Sequence, residues 1–96
     1  LEEAHRAGKI GAIGVSNFTP AQIDALAQYL TVPLASSQPE FSPLFLGPLV
    51  DGQLDQAMRM KLAVLAWSPL GGGRIAAPGT AREAAVAAAL DAVATA

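Results

Sequence analysis

The chain has 96 residues, of which 52% are hydrophobic, with no cysteine and a formal net charge of −2. This apolar content excludes a disordered chain, and the lack of cysteine excludes a disulfide scaffold. The weak negative charge offers no surface to nucleic acid, and no apolar run is long enough to span a bilayer, so we expect a folded cytoplasmic protein that binds neither nucleic acid nor membrane.

A helix end and a buried strand open the chain. Residues 1–7 predict a helix that ends at Gly8, since glycine readily adopts the left-handed conformation that follows a helix. Residues 10–15 form a nearly continuous apolar run, which is typical of a parallel strand buried on both faces. Gly11 and Gly14 within that run indicate that a neighbour packs closely there.

The second predicted helix begins with a capping box. Thr19 is a strong N-cap because Pro20 occupies the first helical position, where its missing N–H costs nothing, and Gln22 completes the box. Phe18 and Ile23 occupy the two ends of a hydrophobic staple. Apolar residues then recur at helical spacing, which predicts a helix that covers a sheet.

A second strand with a polar row is predicted from residue 34. Period-2 geometry places Ser36, Gln38 and Glu40 on one face of it. Such a row is satisfied near a barrel mouth, where water or a ligand is available. Pro39 removes a donor from the ladder and argues against a long regular strand.

The rest of the chain predicts a loop, two helices and a third strand. Residues 46–48 indicate a loop, and residues 62–67 a third, almost wholly apolar strand. Thr80 to Glu83 form a second capping box before an alanine-rich helix. A helix over residues 49–61, weakened at its start by Gly52, is predicted to place four residues on one side: Val50, Leu54, Ala57 and Met58.

This alternation of strands and helices predicts an α/β fold with a parallel sheet. Short loops and strands buried on both faces are typical of a doubly wound sheet or of a (β/α)8 barrel. A barrel needs about 250 residues and eight strands, whereas about three strands are visible here. The chain can form only part of such a barrel.

Polar and aromatic residues follow each predicted strand: Ser16 and Asn17, then Gln38, then Trp67 and Ser68 with the glycine run 71–73. Ligands of parallel α/β proteins bind outside the carboxyl ends of the strands. The two amides can together fix an amide such as a nicotinamide carboxamide, and the indole offers a face to a heteroaromatic ring. The glycines let backbone N–H groups approach phosphate, and Arg74 can add a charge.

Each of these residues also has a purely structural interpretation. Ser16 and Asn17 can be turn residues, Gln38 a satisfied buried amide, and Trp67 a core aromatic. The glycine run lacks the Gly-Lys-Ser/Thr ending of a P-loop and the spacing of a dinucleotide fingerprint. Their shared position at successive strand ends favours a binding site.

Three segments, in the right order, resemble signatures of the aldo/keto reductases. Residues 8–18 resemble G-K-[IV]-R-x-[IFL]-G-V-S-N-[FY], residues 38–43 resemble the Q-x-E-[YF]-[SN]-P/L segment, and residues 65–73 the [YW]-S-P-L-[GA]-x-G segment. Gly11 stands where the family usually has Arg, and Ser37 where it has Asn. The Trp-Ser-Pro-Leu-Gly-Gly-Gly-Arg form looks like bacterial monomeric NADPH-dependent oxidoreductases. The resemblance implies that residues 1–96 are a single segment of a (β/α)8 TIM barrel, incomplete at both ends, with about three parallel strands and flanking helices.

The resemblance also implies a function, the transfer of a hydride from NADPH to a small-molecule aldehyde or ketone. Seven residues match family positions that hold NADP(H): Ser16, Asn17, Gln38, Trp67, Ser68, Leu70 and Gly71. The first three would hold the nicotinamide carboxamide, the indole would stack on the nicotinamide ring, and the last three would lie along the pyrophosphate.

The family's catalytic Asp, Tyr, Lys and His belong to its first half, and no segment here matches them. His5 and Tyr29 fall within predicted helices, Lys9 at a helix end and Asp24 on a helix surface. We therefore assign no catalytic residue and no metal ligand, and we expect the isolated 96-residue piece to reduce no carbonyl compound. Two alternatives stay open: a non-catalytic NADP-binding regulatory module, such as the potassium-channel auxiliary subunits that resemble this family, and an inert barrel fragment.

Overall fold

Three parallel strands lie side by side in chain order, and the computed structural model describes all of residues 1–96. The strands are β1 (Ile13–Ser16), β2 (Leu34–Gln38) and β3 (Ala63–Val64). The helices are α1 (Glu2–Arg6), α2 (Pro20–Tyr29), α3 (Gly47–Val50), α4 (Gln53–Met60) and α5 (Ala81–Ala94), with a 3-10 turn at Gly71–Gly73. This sheet with flanking helices confirms the predicted α/β class and is consistent with part of a TIM barrel.

The strands are shorter than the apolar runs that predict them. β1 begins at Ile13 rather than at residue 10, because its pairing with β2 begins with Ile13 opposite Leu34, the first residue of β2. β3 covers two residues instead of six, although Trp67 still donates its backbone N–H to the Pro39 carbonyl at 3.0 Å. β2 ends at Gln38, in agreement with the expected effect of Pro39.

Close packing distinguishes the two glycines near β1. A Cβ at Gly14 would lie 3.1 Å from the Ser36 carbonyl oxygen on β2 and would collide with Ser36 Oγ. A Cβ at Gly11 would meet no atom within 4 Å. The prediction of close packing is therefore confirmed at Gly14 and wrong at Gly11, because Gly11 precedes the paired part of the strand.

The capping box of α2 forms as predicted. Thr19 Oγ1 accepts from Gln22 N at 3.2 Å, and Gln22 Oε1 accepts from Thr19 N at 2.9 Å. Phe18 packs against the core cluster that contains the buried Ile23, which agrees with the predicted staple. α2 thus begins at Pro20, shortly after β1 ends at Ser16, and the capping box defines the start of the helix.

The segment between β2 and β3 differs from the prediction. Residues 47 and 48, predicted to lie in a loop, belong to α3, and Gly52, with φ +91°, separates α3 from α4 within the helix predicted over residues 49–61. Two of the four residues predicted on the apolar side are exposed, Val50 at 85% and Met58 at 80%. Ala57 is buried in the core with four other residues: Ile13, Ile23, Leu34 and Leu62.

α5 carries half of its predicted capping box. Thr80 Oγ1 accepts from Glu83 N at 3.2 Å, but the Glu83 carboxylate accepts from Gly79 N at 3.0 Å rather than from the N-cap. Val93 on this helix is 75% exposed, so its apolar side is uncovered. No helix of the structure combines the length and the apolar character required to cross a membrane.

A carboxylate links α1 to the end of α2. Glu2 Oε1 accepts from the Thr31 hydroxyl at 2.7 Å, from the Thr31 backbone N–H, and from Val32 N at 3.3 Å. The hydrogen bond from the Thr31 side chain is the main cause that lowers the pKa of Glu2 below its ordinary value of 4.5, and the backbone bonds act in the same direction.

We expect this link to weaken in acid. Because the folded-state pKa is lowered, its contribution to stability is present above pH 4.5 and is lost as the pH falls through the folded-state value. In thermal denaturation of the full-length protein, Glu2→Gln should be less stable than the parent near neutral pH and should match it at low pH. A difference that does not change with pH would contradict this account of Glu2.

Candidate cofactor-binding site

The ends of β1 and β2 are joined at one carbonyl oxygen. Gln38 O accepts from Ser16 Oγ at 2.9 Å and from Asn17 N at 3.2 Å. The Ser16 hydroxyl therefore donates its proton to a protein group. Its oxygen can still accept a hydrogen bond from a ligand. Gln38 takes part in these hydrogen bonds through its backbone carbonyl, and the residue is exposed to solvent.

The side chain of Trp67, which follows β3, forms a hydrogen bond with the residue that follows β1. Trp67 Nε1 donates to Asn17 Oδ1 at 2.7 Å, which links residues 50 positions apart. The residue is 40% exposed, so it is not the buried core aromatic of the structural interpretation. Since the N–H lies in the plane of the indole, this bond does not itself cover either face of the ring.

Two residues at the strand ends adopt the left-handed backbone conformation. Asn17 has φ 57° and Ser68 has φ 45°. This conformation costs a residue with a Cβ about 1–2 kcal/mol, although Asn tolerates it better than most. Such conformations persist where the surrounding structure imposes them, and they are concentrated at functional sites. Here Gln38 O holds Asn17 N, and Ser68 O accepts from Gly71 N at 2.9 Å.

The glycine run is a tight turn in which only the first glycine is packed. Gly71 is buried with φ +67°, and a Cβ there would lie 2.6 Å from Leu44 Cδ1, whereas Gly72 and Gly73 face open space. The Arg74 guanidinium donates through Nε to Gly71 O at 2.7 Å, so it is turned back on the loop. Leu70 is 69% exposed beside it.

A cleft of about 200 Å³ opens beside the Trp67–Asn17 bond. Eight residues line it: Asn17, Phe18, Thr19, Pro39, Glu40, Phe45, Gln53 and Trp67. Its size is below the ~300–1,000 Å³ of whole-ligand pockets, so it suits one ring of a larger ligand.

Two of the seven predicted cofactor residues, Asn17 and Trp67, line this cleft. Ser16 and Gln38 do not line it, and the Gln38 carbonyl joins both of them to Asn17. Ser68, Leu70 and Gly71 lie on the turn that follows Trp67. The sequence motifs did not identify Phe45 and Gln53, which reach the cleft from outside the three segments.

The side chains set aside as catalytic candidates lie away from the strand ends. His5 belongs to α1, and Tyr29 is exposed at the end of α2. Asp24 Oδ1 accepts from Gln56 Nε2 at 3.0 Å and pairs with Arg59 Nη2 at 3.3 Å on the helical face. No group of three His, Cys, Asp or Glu side chains is placed to hold a metal ion.

Comparison with known proteins identifies the family of the chain. The model of the aldo/keto reductase family matches residues 1–91. The chain is 57% identical over all 96 residues to a 6-dehydroglucose reductase of Novosphingobium aromaticivorans, of which it covers 32%. It is 48% identical over 75 residues to the oxidoreductase YdhF of Escherichia coli, and 36% identical over 75 residues to a 6-dehydroglucose reductase of Agrobacterium fabrum. Each of these two alignments covers 78% of the chain and 25% of the relative.

The chain therefore spans about a third or less of the length of these curated relatives. The match of the family model nevertheless extends over nearly all of the chain, and three strands with their flanking helices accompany it. This chain belongs to the aldo/keto reductase family.

Proposed function

We propose that this chain forms the nicotinamide-binding part of a cytoplasmic, NADPH-dependent aldo/keto reductase that reduces aldehydes or ketones to alcohols. The observation that carries the proposal is the 2.7 Å bond between Trp67 Nε1 and Asn17 Oδ1, which brings two predicted cofactor residues to one cleft. Family membership supports the reductase activity. When bound, NADPH supplies the hydride for this reaction.

The polarity of the side chains fits a carboxamide. Asn17 has its oxygen engaged by the indole, so its Nδ2 hydrogens are left as donors for a ligand carbonyl. Ser16 has its proton engaged by Gln38 O, so its oxygen is left as an acceptor for a ligand amino group. In the proposal the Gln38 side chain adds a third polar contact to the carboxamide.

The turn after Trp67 suits the neighbouring part of the cofactor. The proposal places Ser68, Leu70 and Gly71 along the pyrophosphate. The glycines at 72 and 73 face open space, which allows a ligand to approach the backbone closely. The exposed Leu70 side chain is available for apolar contact.

The proposal assigns binding and orientation to this chain, and it assigns proton delivery to residues outside the 96. The one ionisable side chain that lines the cleft is Glu40, and no Tyr, Lys or His accompanies it. The isolated 96-residue piece should therefore bind the nicotinamide end at most and turn over no carbonyl compound.

A sugar-derived carbonyl is the substrate class to test first. Two of the relatives are named 6-dehydroglucose reductases. In the proposal, the full-length protein reduces such a carbonyl to the corresponding alcohol.

Titration of the purified full-length protein with NADPH and with NADH tests the proposal. We expect protein fluorescence to change on binding, a lower Kd for NADPH than for NADH, and loss of NADPH absorbance when 6-dehydroglucose is added. Binding without turnover of any aldehyde or ketone would favour a regulatory module instead. Absence of binding to either nucleotide would favour an inert barrel segment.

A further inference from the structure

The hydrogen bond between Trp67 and Asn17 has a defined polarity. An indole Nε1 carries a hydrogen and has no lone pair to accept with, so it is a donor only. At 2.7 Å from it, Asn17 must present Oδ1, because the other orientation of the amide would place donors against one another. The Nδ2 group is then directed away from the indole.

We propose that Trp67 is a positioning residue for Asn17 as well as a stacking surface: its indole N–H fixes the amide so that Nδ2 donates to the carbonyl oxygen of the nicotinamide carboxamide. This inference rests on the proposed function and adds which atom of the carboxamide faces Asn17. A ligand group that accepts a hydrogen bond is favoured at this position over one that donates.

The backbones on both sides of the bond are already held. Asn17 N donates to Gln38 O at 3.2 Å while φ is 57°, and Trp67 N donates to Pro39 O at 3.0 Å. The freedom that remains to Asn17 is rotation of its side chain. One charge-neutral hydrogen bond from the indole favours one of the two amide orientations about 2- to 10-fold.

The face and the edge of the indole serve different purposes in this arrangement. Stacking uses the ring face, whereas positioning uses the N–H at the edge. Phenylalanine keeps an aromatic face and lacks the donor, so Trp67→Phe separates the two roles. Asn17→Ala removes the amide that the donor is proposed to position.

A double-mutant cycle in the full-length protein tests the inference, with Kd for NADP⁺ measured by titration calorimetry. We expect Trp67→Phe to raise the Kd about 5- to 10-fold in the parent background. In the Asn17→Ala background the same substitution should raise it less than about twofold, because the amide is absent.

Two further ligands distinguish positioning from general damage. Adenosine 2′,5′-bisphosphate, which lacks the nicotinamide, should bind the parent and all variants equally, and this result also shows that the variants fold. The 3-acetylpyridine analogue of NADP⁺ keeps the carbonyl oxygen and has a methyl group in place of the amino group, so Asn17→Ala and Trp67→Phe should weaken it by the same factors as NADP⁺.

Each contrary outcome is distinct. An unchanged Kd for Trp67→Phe, or an equal loss in both backgrounds, would overturn the positioning role. If Asn17→Ala weakened NADP⁺ but not the acetylpyridine analogue, Asn17 would face the amino group and the assigned orientation would be wrong. A parent protein that binds no NADP⁺ would overturn the proposed function itself.

Discussion

Trp67→Ala should raise the Kd of the full-length protein for NADPH about 10- to 100-fold. The substitution removes the exposed indole face, and stacking of a base on an aromatic side chain contributes about 1–3 kcal/mol by alanine substitution. It also removes the donor at 2.7 Å from Asn17 Oδ1. Fluorescence or calorimetric titration measures the change.

Tyr29→Ala is the matched control for this prediction. Tyr29 is 83% exposed at the end of α2, away from the strand ends, so its removal also deletes one exposed aromatic ring. The Kd of the Tyr29→Ala variant for NADPH should stay within about twofold of the parent value. Equal losses for the two variants, or no loss for Trp67→Ala, would mean that the indole does not contact the cofactor.

Gly14→Ala should lower the free energy of unfolding of the full-length protein by about 1–3 kcal/mol. A Cβ at this position would lie 3.1 Å from the Ser36 carbonyl oxygen and would collide with Ser36 Oγ on the paired strand. The contact involves backbone, which cannot move aside without disturbing the ladder between β1 and β2. Thermal or denaturant unfolding measures the loss.

Gly11→Ala separates this steric effect from the general effect of replacing glycine. Gly11 has no atom within 4 Å of the added Cβ, so alanine there should be neutral or stabilise by up to about 1 kcal/mol through the unfolded state. If both variants lost the same stability, the close approach of Ser36 to Gly14 would not be the cause.

The sequence predicts the features of this fold that depend on local chemistry. The capping box at Thr19 forms with both of its hydrogen bonds, and β2 ends before Pro39. The helix predicted over residues 49–61 is present in two parts, because Gly52 adopts a left-handed conformation between α3 and α4. An apolar stripe predicted across such a break does not face one surface, and Val50 on α3 is exposed whereas Ala57 on α4 is buried.

In the candidate site, too, the sequence predicts some features and not others. The apolar runs place Asn17 after the first predicted strand and Trp67 at the end of the third, on either side of β2, and the structure brings their side chains together. Their hydrogen bond depends on a side-chain contact between residues 50 positions apart, for which no local pattern exists. Phe45 and Gln53 reach the cleft only because the chain folds back through α3 and α4, so no motif marks them.

A crystal structure of the full-length protein with NADP⁺ tests the central claim most directly. The account predicts that the nicotinamide ring lies parallel to the Trp67 indole at about 3.5–4 Å, with its carboxamide oxygen within hydrogen-bond distance of Asn17 Nδ2. A nicotinamide ring bound elsewhere, with the face of Trp67 bare, would contradict the claim.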